Sequence, residues 1–345
     1  MSCVDVAVCG GGLGGLAVTL GLRQRGFDAH VYEAAPQLRT ATGTIVGLGS
    51  NAFTALNALD PQILPALLPR GSKNLNSVTC VKEDPQAPGQ TVKRAAHGHT
   101  FRWSEVQNVL ACLLPPEAVH CGHRVTGFTD TRSQPGREGR ITLHFKGQPD
   151  VYAHMVVAAD GLRSALRAAM LPQDPGPRYL GHMNWNALLF NPEGSQVVEA
   201  HRPGDLLINI NAPPMDLDKM WTLMTKPGAE GKGLSSSGAA APALAAGKLP
   251  GEKEDMPQLV GGGMGVPGSK ARVMQLLADA GFEDVARVVQ ATPEADIFER
   301  AMLDRIPLDE LCAGLSGAGG RLLLLGDAAH AMHSGPGQGA RMAFE

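Results

Sequence analysis

The feature that most restricts this fold is a glycine cluster directly after a short apolar run at the start of the chain. Val6-Ala7-Val8-Cys9 leads into Gly10-Gly11-Gly12-Leu13-Gly14-Gly15, so glycines 10, 12 and 15 satisfy G-x-G-x-x-G. That spacing suits a strand that turns straight into a helix. Gly10 permits the tight turn, Gly12 removes a Cβ so that a diphosphate can approach, and Gly15 lets the helix pack on the strand. Apolar residues at Leu16, Val18, Leu20 and Leu22 predict a helix to Arg25, ended by Gly26. Ala29-His30-Val31-Tyr32-Glu33 reads as the second strand. Glu33 follows Gly15 by about 18 residues, where an acid bonds a ribose hydroxyl. A carboxylate there repels a 2′-phosphate, so the tightly held nucleotide is FAD or NAD rather than NADP.

The pattern returns near the other end of the chain. Leu322-Leu323-Leu324-Leu325 runs into Gly326-Asp327-Ala328-Ala329-His330. Strand ends that turn through glycine into a helix bring backbone N–H groups to a phosphate, and two such sites in one chain point to one bound flavin nucleotide. Between them, Phe101-Arg102-Trp103-Ser104 leads into a helix from Glu105 to Leu114, with Ser104 as its N-cap. Arg102 is then either a diphosphate contact or a solvated loop arginine. Met155-Val156-Val157-Ala158-Ala159 reads as a buried strand ending at Asp160-Gly161, before a helix from Leu162 to Met170 that Asp160 can cap.

Composition narrows the function classes. The 345 residues suffice for two or three domains, and a net charge of -3 gives no basic footprint for a nucleic-acid partner. No apolar run approaches the roughly 20 residues of a membrane span. The first strand begins by Val4, which leaves no room for a signal or transit peptide. Six cysteines lie scattered without C-x-x-C spacing, so reduced thiols and a cytoplasmic location are expected. The histidines show no metal spacing either.

In this order the motifs resemble the class A FAD-dependent monooxygenases of the para-hydroxybenzoate-hydroxylase fold, a family that includes salicylate hydroxylase-like and zeaxanthin epoxidase-like members. The resemblance is carried by the fingerprint at Gly10 to Gly15 with Glu33 and by the Gly43 to Ala52 segment. Arg102-Trp103 with Gln107, Asp160-Gly161, and Val288 to Leu308 follow. Gly326 to Met332, with Gly337-Gln338-Gly339, completes the set. It implies an α/β architecture: a Rossmann-like FAD-binding domain with an inserted antiparallel-sheet substrate domain. Residues 1–75, 101–177 and 305–345 would form the first, and 76–100 and 178–304 the second, with a flexible insertion at about 227–269. Strand-like runs at Trp185 to Phe190, Leu206 to Ile210 and Met220 to Thr225 suit that sheet.

The resemblance also implies site roles. Gly10, Gly12, Leu13 and Gly15 would lie along the pyrophosphate, Glu33 would hold the adenosine ribose, and Arg102 would contact the diphosphate region with Gln107 nearby. Val125 would meet the adenine through its backbone. The Gly326-Asp327 turn would place Asp327 on the ribityl chain, and Pro336, Gly337 and Gly339 would bring backbone to the isoalloxazine. Asp160 is either a contact to FAD and visiting NAD(P)H or a helix cap alone. Trp185 is either core or pocket lining, Asn186 stands where the family has an arginine, and His333 is either a pocket residue or solvent-exposed. His330 reads as structural. The implied chemistry is the cofactor's: NADPH or NADH reduces FAD, and O2 yields a flavin hydroperoxide that gives one oxygen atom to an aromatic or unsaturated small molecule. No catalytic side chain and no metal are expected. Two other readings accompany this one: a non-oxygenating flavoprotein of the same fold, and an incomplete, inactive flavin-binding relative, since the family's last motif opens a longer helix. Substrate identity and oligomeric state have no readable signature.

Overall fold

The computed structural model describes residues 3–38, 45–73, 78–84, 87–95, 98–131, 140–190, 199–200, 206–211, 218–225, 263–279, 283–308, 316–333 and 337–345. The chain forms two compact units. The first comprises residues 1–160, 316–326 and 337–345, and the second residues 161–315 and 327–336. These limits divide the chain differently from the expected domain boundaries: residues 76–100 group with the first unit, and residues 161–177, 305–315 and 327–336 with the second. Most of the expected insertion at 227–269 lies outside the described residues. Its last part contains a short strand at Gly263–Met264.

The first unit is built on an eight-stranded sheet. Strands β1 (Cys3–Cys9), β2 (Ala29–Tyr32), β8 (Val119–His120), β11 (Gln148–Ala158), β18 (Ser316–Gly317) and β19 (Leu322–Leu324) run in the order β18-β19-β11-β1-β2-β8. β9 (Val125–Asp130) and β10 (Ile141–Phe145) extend it beside β11. β1 pairs parallel with both β11 and β2, and β11 pairs parallel with β19. Being central, β1 is covered on both faces, which is why it reads as an almost unbroken apolar run. Helix α1 (Leu13–Gln24) buries Leu13, Leu16, Ala17 and Leu20 against this sheet. Helices α2 (Ser50–Leu59), α3 (Ile63–Leu67) and α4 (Trp103–Cys112) complete the same core. A small sheet of β3 (Ile45–Leu48), β7 (His99–Arg102) and β4 (Ser72–Lys73), and a hairpin of β5 (Val78–Asp84) and β6 (Ala87–Ala95), stand apart from the main sheet.

The second unit is an antiparallel sheet of β12 (Arg178–Phe190), β13 (Glu199–Ala200), β14 (Leu206–Asn211), β15 (Asp218–Thr225), β16 (Gly263–Met264) and β17 (Phe298–Asp304), in the order β13-β14-β15-β12-β17-β16. The run expected from Trp185 begins earlier, at Arg178, because β17 gives the preceding residues a partner across a bulge between Tyr179 and Met183. Helices α6 (Ser269–Asp279) and α7 (Glu283–Ala291) cover one face, closing an apolar cluster around Trp185, Trp221, Leu223, Val273 and Leu277. Helices α5 (Ala165–Met170) and α8 (Asp327–His330) also belong here, whereas α9 (Gly339–Phe344) belongs to the first unit.

Two expected helix starts move. α4 begins at Trp103 with extended Arg102 in the cap position and no side-chain cap bond, so Ser104 is inside the helix and does not cap it. α5 begins only at Ala165, where the Ser164 hydroxyl accepts from the Arg167 N–H at 2.9 Å. Asp160 therefore is not the cap. Gly161, in the left-handed region at φ +81°, turns the chain between the strand and that later start.

Candidate functional site

Three motif ends meet at one edge of the first sheet. Cys9 is in register with Ala158, and Ala158 with Leu324, so the chain leaves all three parallel strands side by side, at Gly10, Ala159-Asp160 and Leu325-Gly326. The carboxyl ends of parallel strands are where open α/β sheets bind ligands. Backbone bonds from Ala159 N–H to Cys9 O at 2.8 Å and from Leu325 N–H to Ala158 O at 2.9 Å hold the edge together.

The fingerprint glycines have three separable tasks there. Gly10 has φ +110°, and a Cβ on it would sit 2.2 Å from the Ala159 carbonyl oxygen. A Cβ on Gly15 would sit 2.0 Å from the Gly10 carbonyl oxygen, so α1 can approach the strand only without it. A Cβ on Gly12 would meet nothing within 4 Å. Neither packing nor φ (-71°) requires glycine at position 12, and the open space beside it is what an approaching diphosphate would use. Leu13 is the first residue of α1 and is buried.

Gly11 is clamped from both sides. Its N–H donates to Glu33 Oε2 at 2.6 Å, and its carbonyl accepts from Gln107 Nε2 at 2.6 Å. The other Glu33 oxygen accepts from the Ala35 N–H at 2.8 Å, and the Glu33 backbone is fixed by His120 O and the His123 N–H, each at 2.8 Å. Gln107 is buried on α4. Arg102 stands at the start of that helix and pairs with Ile45 in the small sheet. Val125 opens β9 and pairs with Phe145. Asp160 lies against the loop, with its Cα 3.0 Å from where a Gly10 Cβ would be, and its charge joins burial in pushing the Cys9 thiol well up. Such a thiol stays protonated and inert.

Near the chain's end, Gly326 is left-handed at φ +59° and Gly337 at φ +62°. Gly339 starts α9, which packs into the first unit: Phe344 is buried in its core, and Arg341 Nε donates to Gly47 O at 2.9 Å. Pro336 lies outside the described residues.

In the second unit, α8 is held by a buried ionic network that the sequence did not suggest. Arg167, 1% exposed, donates to Ala328 O at 3.0 Å and Ala329 O at 2.7 Å, and to Asp174 through Nε at 2.6 Å. Arg305 donates to the second Asp174 oxygen at 2.6 Å, and its backbone N–H donates to Ala331 O at 3.0 Å. Burial alone would raise Asp174. The Gly176 N–H, the Arg167 hydrogen bond and the two guanidinium charges overcome it and hold the carboxyl below the usual range. Asp327, the first residue of α8, shows the reverse: although its side chain is exposed, desolvation by the atoms around it pushes its carboxyl up, against the pull of His330 and Arg300. Trp185 is fully buried in the cluster under α6 and α7, so it is core. Asn186 sits on the sheet's other face, donating to Asn184 Oδ1 at 2.8 Å, and His333 is half-buried beyond α8. Among the described residues, no cluster of His, Cys, Asp or Glu side chains could hold a metal ion, and no helix is long and apolar enough to cross a membrane.

Known proteins resemble this chain in sequence and fold. The family described as FAD binding domain matches residues 3–221. An aurachin C monooxygenase/isomerase from Stigmatella aurantiaca is 27% identical over 359 aligned positions, covering 99% of this chain and 78% of that protein. A chloroplastic zeaxanthin epoxidase from an Oncidium hybrid cultivar is 24% identical, covering 99% of this chain and 47% of that protein. A FAD-dependent urate hydroxylase from Klebsiella pneumoniae is 27% identical, covering 57% of this chain and 49% of its own. The chain thus spans about half the length of the latter two. Among solved structures, Klebsiella pneumoniae HpxO complexed with FAD and uric acid superposes with a TM-score of 0.68 at 20% identity, covering 99% of this chain and 77% of that one. The 2,6-dihydroxypyridine-3-hydroxylase of Arthrobacter nicotinovorans gives a TM-score of 0.65 at 19% identity, covering 99% and 81%. These two share the para-hydroxybenzoate-hydroxylase fold. The chain belongs to the FAD-binding-domain family of flavoprotein monooxygenases.

Proposed function

We propose that the protein is an NAD(P)H-dependent FAD monooxygenase, acting on an aromatic or unsaturated small molecule. The observation that carries this is Gly12: a glycine with ordinary φ and no neighbour within 4 Å of its absent Cβ, between two glycines that packing requires. Open space of that kind at the start of a helix that follows a strand fits a diphosphate.

In this reading the Gly10 to Gly15 backbone and Arg102 hold the diphosphate, and Glu33 holds the adenosine ribose while keeping its grip on Gly11. Val125 meets the adenine, Gln107 fixes the loop through the Gly11 carbonyl, and Asp160 borders the loop. Gly326 turns the chain so that Asp327 can accept from ribityl hydroxyls, and the backbone at Gly337 and Gly339 would meet the ring. FAD, when bound, would supply the redox chemistry and O2 activation. The chain's own tasks are to orient the small molecule and exclude water. Cys3, Cys9, Cys112 and Cys121 form no disulfide, in keeping with a cytoplasmic enzyme.

The test is oxygen consumption by the FAD-loaded chain with NADH or NADPH. Uptake of O2 that rises on adding an aromatic or isoprenoid compound supports the proposal. NAD(P)H oxidation without substrate-dependent uptake across both panels would favour the non-oxygenating flavoprotein.

A further inference from the structure

The sheet of the second unit has two unlike faces, fixed by the pleat. Trp185, Trp221, Leu223 and Ala301 point into the apolar cluster with α6 and α7. Their neighbours in sequence point the other way. The register sets Asn184 opposite Arg300, and Asn186 opposite both Phe298 and Thr222. Part of this polar row is closed on itself: Asn186 Nδ2 donates to Asn184 Oδ1, and Asn184 Nδ2 donates to Thr222 Oγ1, both at 2.8 Å.

Arg300 stands in the row without joining it. Its Nε is buried and meets no hydrogen-bond partner among the described residues. Its guanidinium carbon lies 5.7 Å from the Phe298 ring centroid. A guanidinium keeps its charge even where burial presses against it, as burial does here, so its N–H groups need acceptors. Asp327 acts on Arg300 through its charge, yet no ion pair joins these two described side chains. His330 Nδ1, on the same helix as Asp327, is likewise buried without a partner. Buried polar groups in folded proteins are nearly always paired, so a charged donor left unpaired by the protein's own atoms calls for an acceptor from outside the chain, such as water, an ion or a ligand.

We infer that Arg300 is a specificity residue that receives an anionic oxygen of the bound small molecule, a carboxylate or a phenolate, with the Phe298 ring and Asn186 beside it. The inference rests on the monooxygenase reading for the identity of that molecule as substrate. It also divides the two substrate classes that reading leaves open. A carboxylate matches the planar guanidinium fork with two parallel hydrogen bonds, and a phenolate accepts from it strongly. A neutral hydrocarbon brings no acceptor and would leave the buried Nε of the half-buried Arg300 unmet.

The experiment compares wild type, Arg300→Met and Arg300→Lys, with FAD loading followed by absorption and ligand binding read by calorimetry. The ligands are matched pairs: benzoate and benzamide, salicylate and salicylamide, 4-nitrophenolate and 4-nitroanisole. In wild type the anionic member of at least one pair binds about tenfold or more tightly than its neutral partner. In Arg300→Met the preference shrinks to about twofold, with neutral binding unchanged. Arg300→Lys keeps the charge without the fork and retains an intermediate preference. Wild type with no anionic preference in any pair, or a preference that survives in Arg300→Met, overturns the inference. Failure of wild type to take up FAD counts instead against the monooxygenase reading, because calorimetry reports anion preference whether or not flavin is bound.

Discussion

The glycine loop of the first unit and the α8 segment of the second treat their polar groups in opposite ways. In the loop, both ends of the Gly11 peptide are bound by Glu33 and Gln107, and the Glu33 carboxylate has protein donors on both oxygens. Around α8, Asp327 is exposed with its carboxyl pushed up, while Arg300 Nε and His330 Nδ1 have no partner among the described residues. The Gly11 peptide is closed by the chain itself, whereas near α8 the Arg167–Asp174–Arg305 network is closed and Arg300 Nε and His330 Nδ1 are not, among the described residues. Protein-built contacts hold the loop in shape before any nucleotide arrives, which lowers the ordering cost of binding.

The second unit carries its own control in Asp174, which is fully paired. Asp174→Asn leaves Arg167 and Arg305 buried without their shared carboxylate and should cost about 3–5 kcal/mol, read by urea unfolding. Because its pKa is held below the unfolded value, Asp174 stabilises the fold above the ordinary carboxylate range, and that contribution is lost as pH falls through the folded pKa. The wild-type stability slope on the acid side should therefore flatten in Asp174→Asn. A variant as stable as wild type would mean the network does not hold α8.

Gly10→Ala comes next. A left-handed φ and a 2.2 Å clash with the Ala159 carbonyl should cost about 2–4 kcal/mol and remove flavin binding together. Glu33→Ala should weaken FAD by about 1–3 kcal/mol, by losing a charged acceptor and releasing Gly11; unchanged affinity would remove Glu33 from the site. The smallest effect on stability sharpens the comparison most. Gly12→Ala should leave the melting temperature of the flavin-free protein within about 1 °C of wild type, since nothing lies near its Cβ, while FAD affinity falls roughly tenfold or more. Equal loss of both would show that Gly12 is a packing residue.

Sequence alone carried the first region further than the second. The turn at Gly10, the tight contact at Gly15 and the position of Glu33 follow from local spacing, because strand, turn and helix are consecutive there. The start of α5 was misplaced because Asp160 and Ser164 are both good caps, and only the left-handed turn at Gly161 decides between them. Trp185 could not be assigned from its strand, since either face of an isolated strand can be buried; packing by α6 and α7 assigns it to core. Arg167 and Asp174 meet Ala328 and Arg305 across more than 100 residues of chain, so no local pattern reveals them. Arg300 becomes visible only when the register sets it across from Asn184.

The most direct test of the difference between the two regions is an absorption-monitored FAD titration of wild type and Asp327→Ala, paired with thermal unfolding of each flavin-free protein at pH 7. A carboxyl whose folded pKa is raised loses its stabilising contribution as pH rises through that pKa, and for the exposed Asp327 that loss is small, so its removal should not cost the flavin-free protein stability. The expected result is about one FAD per wild-type chain, loss of most flavin in Asp327→Ala, and a melting temperature for the flavin-free variant equal to or above that of wild type. Full FAD occupancy in Asp327→Ala, or a wild-type protein that stays colourless with excess FAD, would contradict the account.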